Sequence, residues 1–279
     1  MNKKEFDTFF QSYSKNVDRA NNSAFWKLSD HLIFDIIKEN IPKDLKKDAV
    51  IFDAGGGTGR WVCMLSDYYK SNFIIYDLSS DMLDVARKNI ENKKIENRVT
   101  IMNGDLANID RVKDNTVDFI ISIYSPISFI YEQTKAAQEM FRILKPGGRM
   151  LIMSHGHLNA IASKINNYRV NPEELKNLSD TRMVRWAQHV PELVTHSKES
   201  IEKLLSDVGL QIIKTYGVPV FVQPGNEDFD PSNKKKSTIS EYLENPDNFR
   251  AILDLEMKYN SLDTVANRGM NIFLLAEKK

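Results

Sequence analysis

The sequence predicts an α/β fold built on a mostly parallel sheet with helices on both faces. Short apolar runs recur through residues 49–154, each joined to the next by an amphipathic helical stretch. Runs without polar alternation mark strands buried on both faces. The first run ends in an acidic residue and then four glycines within five positions. Such a strand-to-helix turn keeps side chains out and lets backbone approach a ligand.

The elements follow in chain order. Residues 1 to about 45 read as a helical arm. Phe6, Phe9, Phe10, Tyr13 and Val17 recur at helical spacing, and the capping segment Asn21-Asn22-Ser23 precedes a second apolar face of Phe25, Leu28, Leu32 and Ile36, widened by Ile33 and Ile37. Pro42 closes that helix. Strands are then expected over Ala49–Phe52, Phe73–Tyr76, Val99–Met102, Val117–Ser122 and Arg149–Ser154. The intervening helices carry Trp61, Met64 and Leu65, then Met82, Leu83 and Ala86, then Ala136, Met140 and Leu144. The last of these stops at Lys145-Pro146-Gly147-Gly148. Residues 155–200 read as a polar helical insert without a strand. A helix over Ser200–Val208, ended by Gly209, leads to a sixth strand over Leu210–Val222. Residues 224–268 form a second insert, opening on a Pro/Gly/Asp/Asn-rich loop with Lys234-Lys235-Lys236 and continuing as a helix over Phe249–Tyr259. Asn271–Ala276 is the last strand.

Composition bounds the function. The 279 residues suit one large domain, and 38 Lys+Arg balance 38 Asp+Glu. That balance argues against a general polyanion binder, hence against nucleic acid. A single cysteine, Cys63, excludes an internal disulfide framework and any multi-cysteine metal site. The five histidines have no metal-ligand spacing, so no metal is expected. No signal-peptide pattern opens the chain, and the apolar region Phe119–Tyr131 is broken by serines and Pro126 and too short to span a bilayer. A cytoplasmic protein with no membrane association is the expectation.

The glycine turn, Asp53-Ala54-Gly55-Gly56-Gly57-Thr58-Gly59, discriminates among ligands. A dinucleotide fingerprint needs G-x-G-x-x-G, and counting from Gly55 puts Arg60 at the third glycine. The run fits D-x-G-x-G-x-G instead. In this it resembles the first motif of the class I S-adenosylmethionine-dependent methyltransferases. Asp77 ends the second strand, Asn103-Gly104-Asp105-Leu106 follows the third, and Leu144-Lys145-Pro146-Gly147-Gly148-Arg149 precedes the fifth, all in that family's order. The resemblance covers about residues 49–154.

It implies a Rossmann-like, mostly parallel seven-stranded sheet with an antiparallel last strand, and S-adenosylmethionine as cofactor. Asp53, Gly55 and Gly57 would hold the methionine portion. Asp77 would take the ribose hydroxyls, Leu78 and Met82 would pack near the adenine, and Asp105 and Leu106 would sit at its edge, although Met82 equally suits the helix core. Ser122, at the end of the fourth strand, would face the reacting sulfonium. Related small-molecule enzymes place an N-terminal aromatic hydroxyl over the cofactor carboxylate, which singles out Tyr13, also suited to core packing.

An activated methyl needs alignment and exclusion of water more than acid–base help. His155, directly after the fifth strand, is the first candidate for a base, with His157 behind it. Tyr124 and Ser125 follow the fourth strand and are placed to meet substrate. His189 and His196 read as polar residues of the insert. The arm 1–45, the insert 155–200 and the insert 224–268 would form a lid on one catalytic domain, 46–279, with Trp26, Trp186, Tyr168 and Met183 as candidate walls or core. A closed apolar lid suits a small organic acceptor. The alternatives are a tRNA or protein methyltransferase, for which Lys234–Lys236 is the best support, a non-methyl use of the same cofactor, and a non-catalytic binder. Oligomeric state is not encoded in these patterns.

Overall fold

The computed structural model describes residues 3–14, 18, 22–229 and 235–279. Val17, Asn21 and Lys234 lie outside them. Seven strands form one sheet: β1 (Val50–Ala54), β2 (Asn72–Asp77), β3 (Val99–Asn103), β4 (Val117–Ser122), β5 (Leu144–His155), β8 (Leu210–Val218) and β9 (Asn271–Lys278), in the order β3-β2-β1-β4-β5-β9-β8. β1 to β5 run parallel, and β9 is antiparallel to both β5 and β8. The strand order reverses between β1 and β4, so a crevice opens at their carboxyl ends.

Alternation along each strand divides the core into two layers. Leu151, Met153, Phe273 and Leu275 face one layer; Met150, Ile152, Leu274 and Ala276 face the other. The first layer is covered by α2 (Ala24–Asn40), α3 (Arg60–Leu65) and α4 (Ser80–Lys93). The second is covered by α5 (Gln133–Ile143) and α8 (Lys198–Ser206). Helix α2 starts where its cap was expected, with Ser23 Oγ accepting from Trp26 N–H. It presents Leu28, Leu32, Ile33, Ile36 and Ile37 inward, all fully buried. At about 1.5–3 kcal/mol for each such side chain, this face anchors α2 to the sheet.

The departures from the sequence reading are local. The insert at 155–200 holds α6 (His157–Ser163), a π-helical turn (Lys164–Tyr168) and α7 (Pro172–Thr181), but also a two-residue ladder of β6 (Met183–Val184) with β7 (Leu193–Val194). Runs of two residues leave no periodic signal. The sixth strand of the sheet ends at Val218 and not at Val222, because Pro219 offers no N–H to the ladder. The fifth begins at Leu144, five residues early, with a register shift opposite Val117–Phe119. In the second insert α10 runs over Pro246–Tyr259 behind an Asn245 cap. A further short helix, α9 (Thr238–Leu243), precedes it and packs on α2. One more turn, α11 (Asp263–Ala266), leads into β9. No helix among the described residues is long and apolar enough to cross a membrane.

Candidate functional site

The carboxyl ends of β1, β2 and β4 open onto a cavity of about 1130 Å³, lined also by the N-terminal arm and by both inserts. Its floor is the glycine turn. Gly55 and Gly56 donate N–H to the Tyr76 carbonyl, at 2.8 and 3.2 Å, fixing the turn to β2. Gly55 has φ +76° and lies so close to Pro126 that a Cβ there would sit 2.4 Å from it. Gly57 has φ +52°, with only the mobile Met82 methyl against it. The positive φ favours glycine at both positions, and at Gly55 the Pro126 ring leaves no room for a side chain.

Two carboxylates flank the turn. Asp53 is 1% exposed, and its Oδ2 has no hydrogen-bond partner. Burial, with the nearby Asp77 charge adding, pushes its carboxyl up to about 8. Asp77 accepts from Gly57 N–H at 2.9 Å and from Ser79 N–H at 2.8 Å. Burial raises its pKa, and these backbone donors oppose the rise. Each carboxylate oxygen keeps accepting capacity after one such bond. Leu78, Met82 and Leu106 form an apolar slot beside it, and Asp105 stands at the slot's edge with Oδ1 accepting from Ala107 N–H. Asn103 supports the slot from behind by donating to the Leu78 and Asp77 carbonyls.

The loop after β4 is held in an unusual backbone state. Tyr124 (φ +59°) and Ser125 (φ +66°) are consecutive non-glycine residues in the left-handed region, at a cost of about 1–3 kcal/mol each. Two hydrogen bonds oppose that cost: Tyr124 Oη donates to Asp30 Oδ1, and Ser125 Oγ donates to Asn271 Oδ1. Asp30, buried on α2, also holds the Arg60 guanidinium. The arm, the glycine turn and the β4 loop thus meet at one carboxylate. Burial raises the Tyr124 phenol, and the Arg60 charge opposes this.

Of the residues selected from sequence, Tyr13, Asp53, Gly55, Gly57, Asp77, Leu78, Met82, Asp105 and Leu106 line this one cavity, with Tyr124 and His155. Tyr13, 39% exposed, faces it from α1 (Lys3–Tyr13). Burial and the Asp18 charge raise its phenol. His155 is lowered to about 4 by burial, so its imidazole is neutral at ordinary pH. Ser122 is not brought to the cavity: it is buried, and its hydroxyl donates to the Ala54 carbonyl. Ser125 is also buried away from the wall. His157 bonds Thr195, and His196 bonds Ser200, whereas His189 does reach the cavity. Trp26, Trp186 and Tyr168 are walls, and Met183 is not. Sequence reasoning missed Asp30, Arg60, Trp61 and Phe229. Asp30 had a signal, a charged residue on the apolar face of an otherwise inward-facing helix. Phe229 had none.

The residues present fit S-adenosylmethionine. The Asp53 carboxylate, with its unpartnered Oδ2, suits a cationic amino-acid end, Asp77 suits a ribose diol, and the Leu78–Met82–Leu106 slot with Asp105 suits a flat base bearing an amine. The indole N–H of Trp61, in the same wall, is a further unpartnered donor. Among the described residues no His/Cys/Asp/Glu group could hold a metal ion.

Comparison with known proteins agrees with this geometry. Residues 51–148 match the family described as a methyltransferase domain. A ubiquinone/menaquinone biosynthesis C-methyltransferase of Haemophilus ducreyi is 25% identical over 131 residues, 46% of this chain and 50% of that protein. The chain thus spans about half the length of this relative. The tRNA 5-carboxymethoxyuridine methyltransferase of Escherichia coli K12 is 22% identical over 289 aligned residues, 100% of this chain and 97% of that protein. Among solved structures, a SAM-dependent methyltransferase of Thermotoga maritima shares the fold with TM-score 0.58 at 18% identity, covering 98% of this chain and 99% of that one. The strand order, the glycine turn and the match over residues 51–148 agree in identifying that segment as a methyltransferase domain of the class I S-adenosylmethionine-dependent type.

Proposed function

We propose that this enzyme methylates a small organic acceptor at N, O or C. The observation that carries the reading is the wall of the cavity. It is mostly apolar and rich in aromatic rings, and among the described residues its acidic groups Asp18, Asp53, Asp77, Asp105 and Glu132 face a single lining arginine, Arg60, already paired with Asp30. A polyanionic acceptor needs cations at its phosphates, whereas a concave, mostly apolar chamber suits a compact molecule. The arm 1–45 and the inserts 155–200 and 224–268 act as the lid of one catalytic domain.

When bound, S-adenosylmethionine supplies a methyl group already activated on a sulfonium. Asp53 and the backbone at Gly55 and Gly57 hold its methionine end, with Tyr13 closing over it. Asp77 binds the ribose hydroxyls, and Leu78, Met82, Leu106 and Asp105 hold the base. His155, neutral, accepts a hydrogen bond from a protonated acceptor atom and orients it. Tyr124, fixed by Asp30, forms the wall beside it. In-line alignment and exclusion of water supply most of the rate.

Calorimetry with S-adenosylhomocysteine tests the cofactor site. Binding is expected in the wild type, weakened at least about tenfold by Asp77→Ala, the loss of a charge-assisted bond pair. Binding of NADH in its place overturns the reading. A labelled methyl donor, offered with a metabolite extract and with tRNA in parallel, tests the acceptor. An RNA acceptor is the second reading, supported by the alignment along the whole tRNA methyltransferase. Label in tRNA, lost at high salt, would establish it. Of its lysine run, Lys236 pairs with Glu244.

A further inference from the structure

A buried lysine stands behind the aromatic wall of the first insert, and neither the cofactor nor the fold requires it. Helix α6 runs directly into the π-helical turn Lys164–Tyr168. Such turns are rare and concentrate at functional sites. This one turns Lys164 inward, to 3% exposure, while Tyr168 lines the cavity. Lys164 Nζ donates to Glu174 Oε1 at 2.7 Å and to the Arg185 carbonyl at 2.6 Å. It also lies 5.0 Å from the centre of the Tyr168 ring and 5.7 Å from that of Trp186. Both rings line the cavity and Lys164 does not, so the rings, and not the ammonium against them, face the chamber.

Packing alone does not account for this arrangement. Burying an ammonium carries a desolvation penalty of several kcal/mol, and an apolar side chain of the same length fills the space without it. The charge has one electronic consequence. A cation held against an aromatic ring draws on its π density, which leaves the chamber side of Tyr168 and Trp186 electron-poor. The two rings are 5.7 Å apart, and Trp186 is 6.3 Å from the His155 ring. Asn159, Ser163 and Asn167 line the same region with hydrogen-bonding groups.

We propose that Lys164, through Trp186 and Tyr168, makes this wall the acceptor subsite and selects a planar, electron-rich aromatic ring with a polar edge. The ring stacks on the electron-poor faces, and its polar edge meets the Asn159–Asn167 side. This rests on the small-molecule reading above and narrows it. A cationic ring of the same shape is disfavoured by the buried ammonium. Lys164 acts through the two rings and is a positioning residue.

The test uses two probes of similar shape, 2-naphthol and N-methylquinolinium, titrated calorimetrically with and without saturating S-adenosylhomocysteine. Wild type is expected to prefer 2-naphthol by about tenfold, the scale of a desolvated cation–π interaction. In Lys164→Met the preference shrinks to about threefold or less; the acidic groups elsewhere in the chamber act on both proteins and cancel. Trp186→Leu, which leaves the Lys164 ion pair intact, is expected to lose 2-naphthol binding, and it serves if Lys164→Met does not fold. An unchanged preference in Lys164→Met, naphthol binding undiminished in Trp186→Leu, or no naphthol binding to wild type overturns the subsite. Failure of S-adenosylhomocysteine to bind, with the naphthol preference intact, overturns the methyltransfer reading and leaves the subsite standing.

Discussion

Asp53 combines full burial, an unpartnered oxygen and a carboxyl pushed up to about 8. Its folded pKa therefore lies above its unfolded value, so the folded chain keeps a proton that the unfolded chain releases. The stability this supplies is present at low pH and is lost as pH rises from the ordinary carboxylate range through about 8. A cation seated beside Asp53 has the opposite preference and favours the ionised form. S-Adenosylhomocysteine, with its ammonium, is thus expected to bind about tenfold more tightly at pH 7 than at pH 6, releasing close to one proton. Calorimetry in buffers of different ionisation enthalpy measures that proton. Asp53→Asn should bind weakly with no such slope, and should lose less stability than wild type between pH 4 and pH 8. The same slope in the variant removes Asp53 from the cation site. His155 contributes no inflection above about pH 5, because burial has already lowered it to about 4.

The elements that carry the cavity floor were legible in the sequence, and those that close over it were less so. β1, β2 and β3 each carry a polar residue at or next to the carboxyl end of an apolar run, Asp53, Asp77 and Asn103. Asp53 and Asp77, picked out by that pattern, and Asp105, just past Asn103, all line the cavity, while Ser122 does not, because a strand end does not say which face a side chain takes. The walls depend on contacts between distant segments. Trp26 on α2 donates its indole N–H to the Asp228 carbonyl at 2.7 Å, and Phe229 meets the Trp26 ring at 5.5 Å. Nothing in the spacing of either segment announces that meeting. The Asp228 carboxylate is the clamp. It accepts from Ser237 Oγ, Ser240 Oγ and Gly225 N–H while 3% exposed. Asp228→Ala strands buried donors and is expected to cost about 1–3 kcal/mol. At about 2–4 °C per kcal/mol, thermal melts should resolve it. Trp26 emission should shift toward the red as the loop loosens. A variant that melts with wild type and leaves the emission unmoved would show that the second insert holds its place by other means.

At the scale of the whole molecule, three segments remote in sequence must close on one chamber, and ion pairing ties two of them directly. Glu5, on α1, pairs with Arg185 in the first insert. Arg185 also donates to the Val190 carbonyl at 2.8 Å, bracing the stretch that carries Trp186 and His189. Phe10 of the arm meets Phe129 beyond β4 at 5.6 Å, edge to face. The pair is partly exposed, at 38% for Arg185 and 31% for Glu5, so its worth to global stability is about 0–1 kcal/mol. Its role lies in keeping the arm across the cavity. Glu5→Gln should therefore leave the melting temperature within a few degrees. It should raise the dissociation rate of S-adenosylhomocysteine about two- to fivefold, the kinetic equivalent of the same energy. Added salt should raise the wild-type rate toward that of the variant, because a partly exposed pair is screened. Arg185→Ala removes the brace on Val190 as well, so it should exceed Glu5→Gln in its effect on acceptor KM. Stopped-flow release measured across a salt series separates these outcomes. Equal rates in wild type and Glu5→Gln at every salt concentration would mean that the aromatic contacts of α1, and not the ion pair, keep the arm in place.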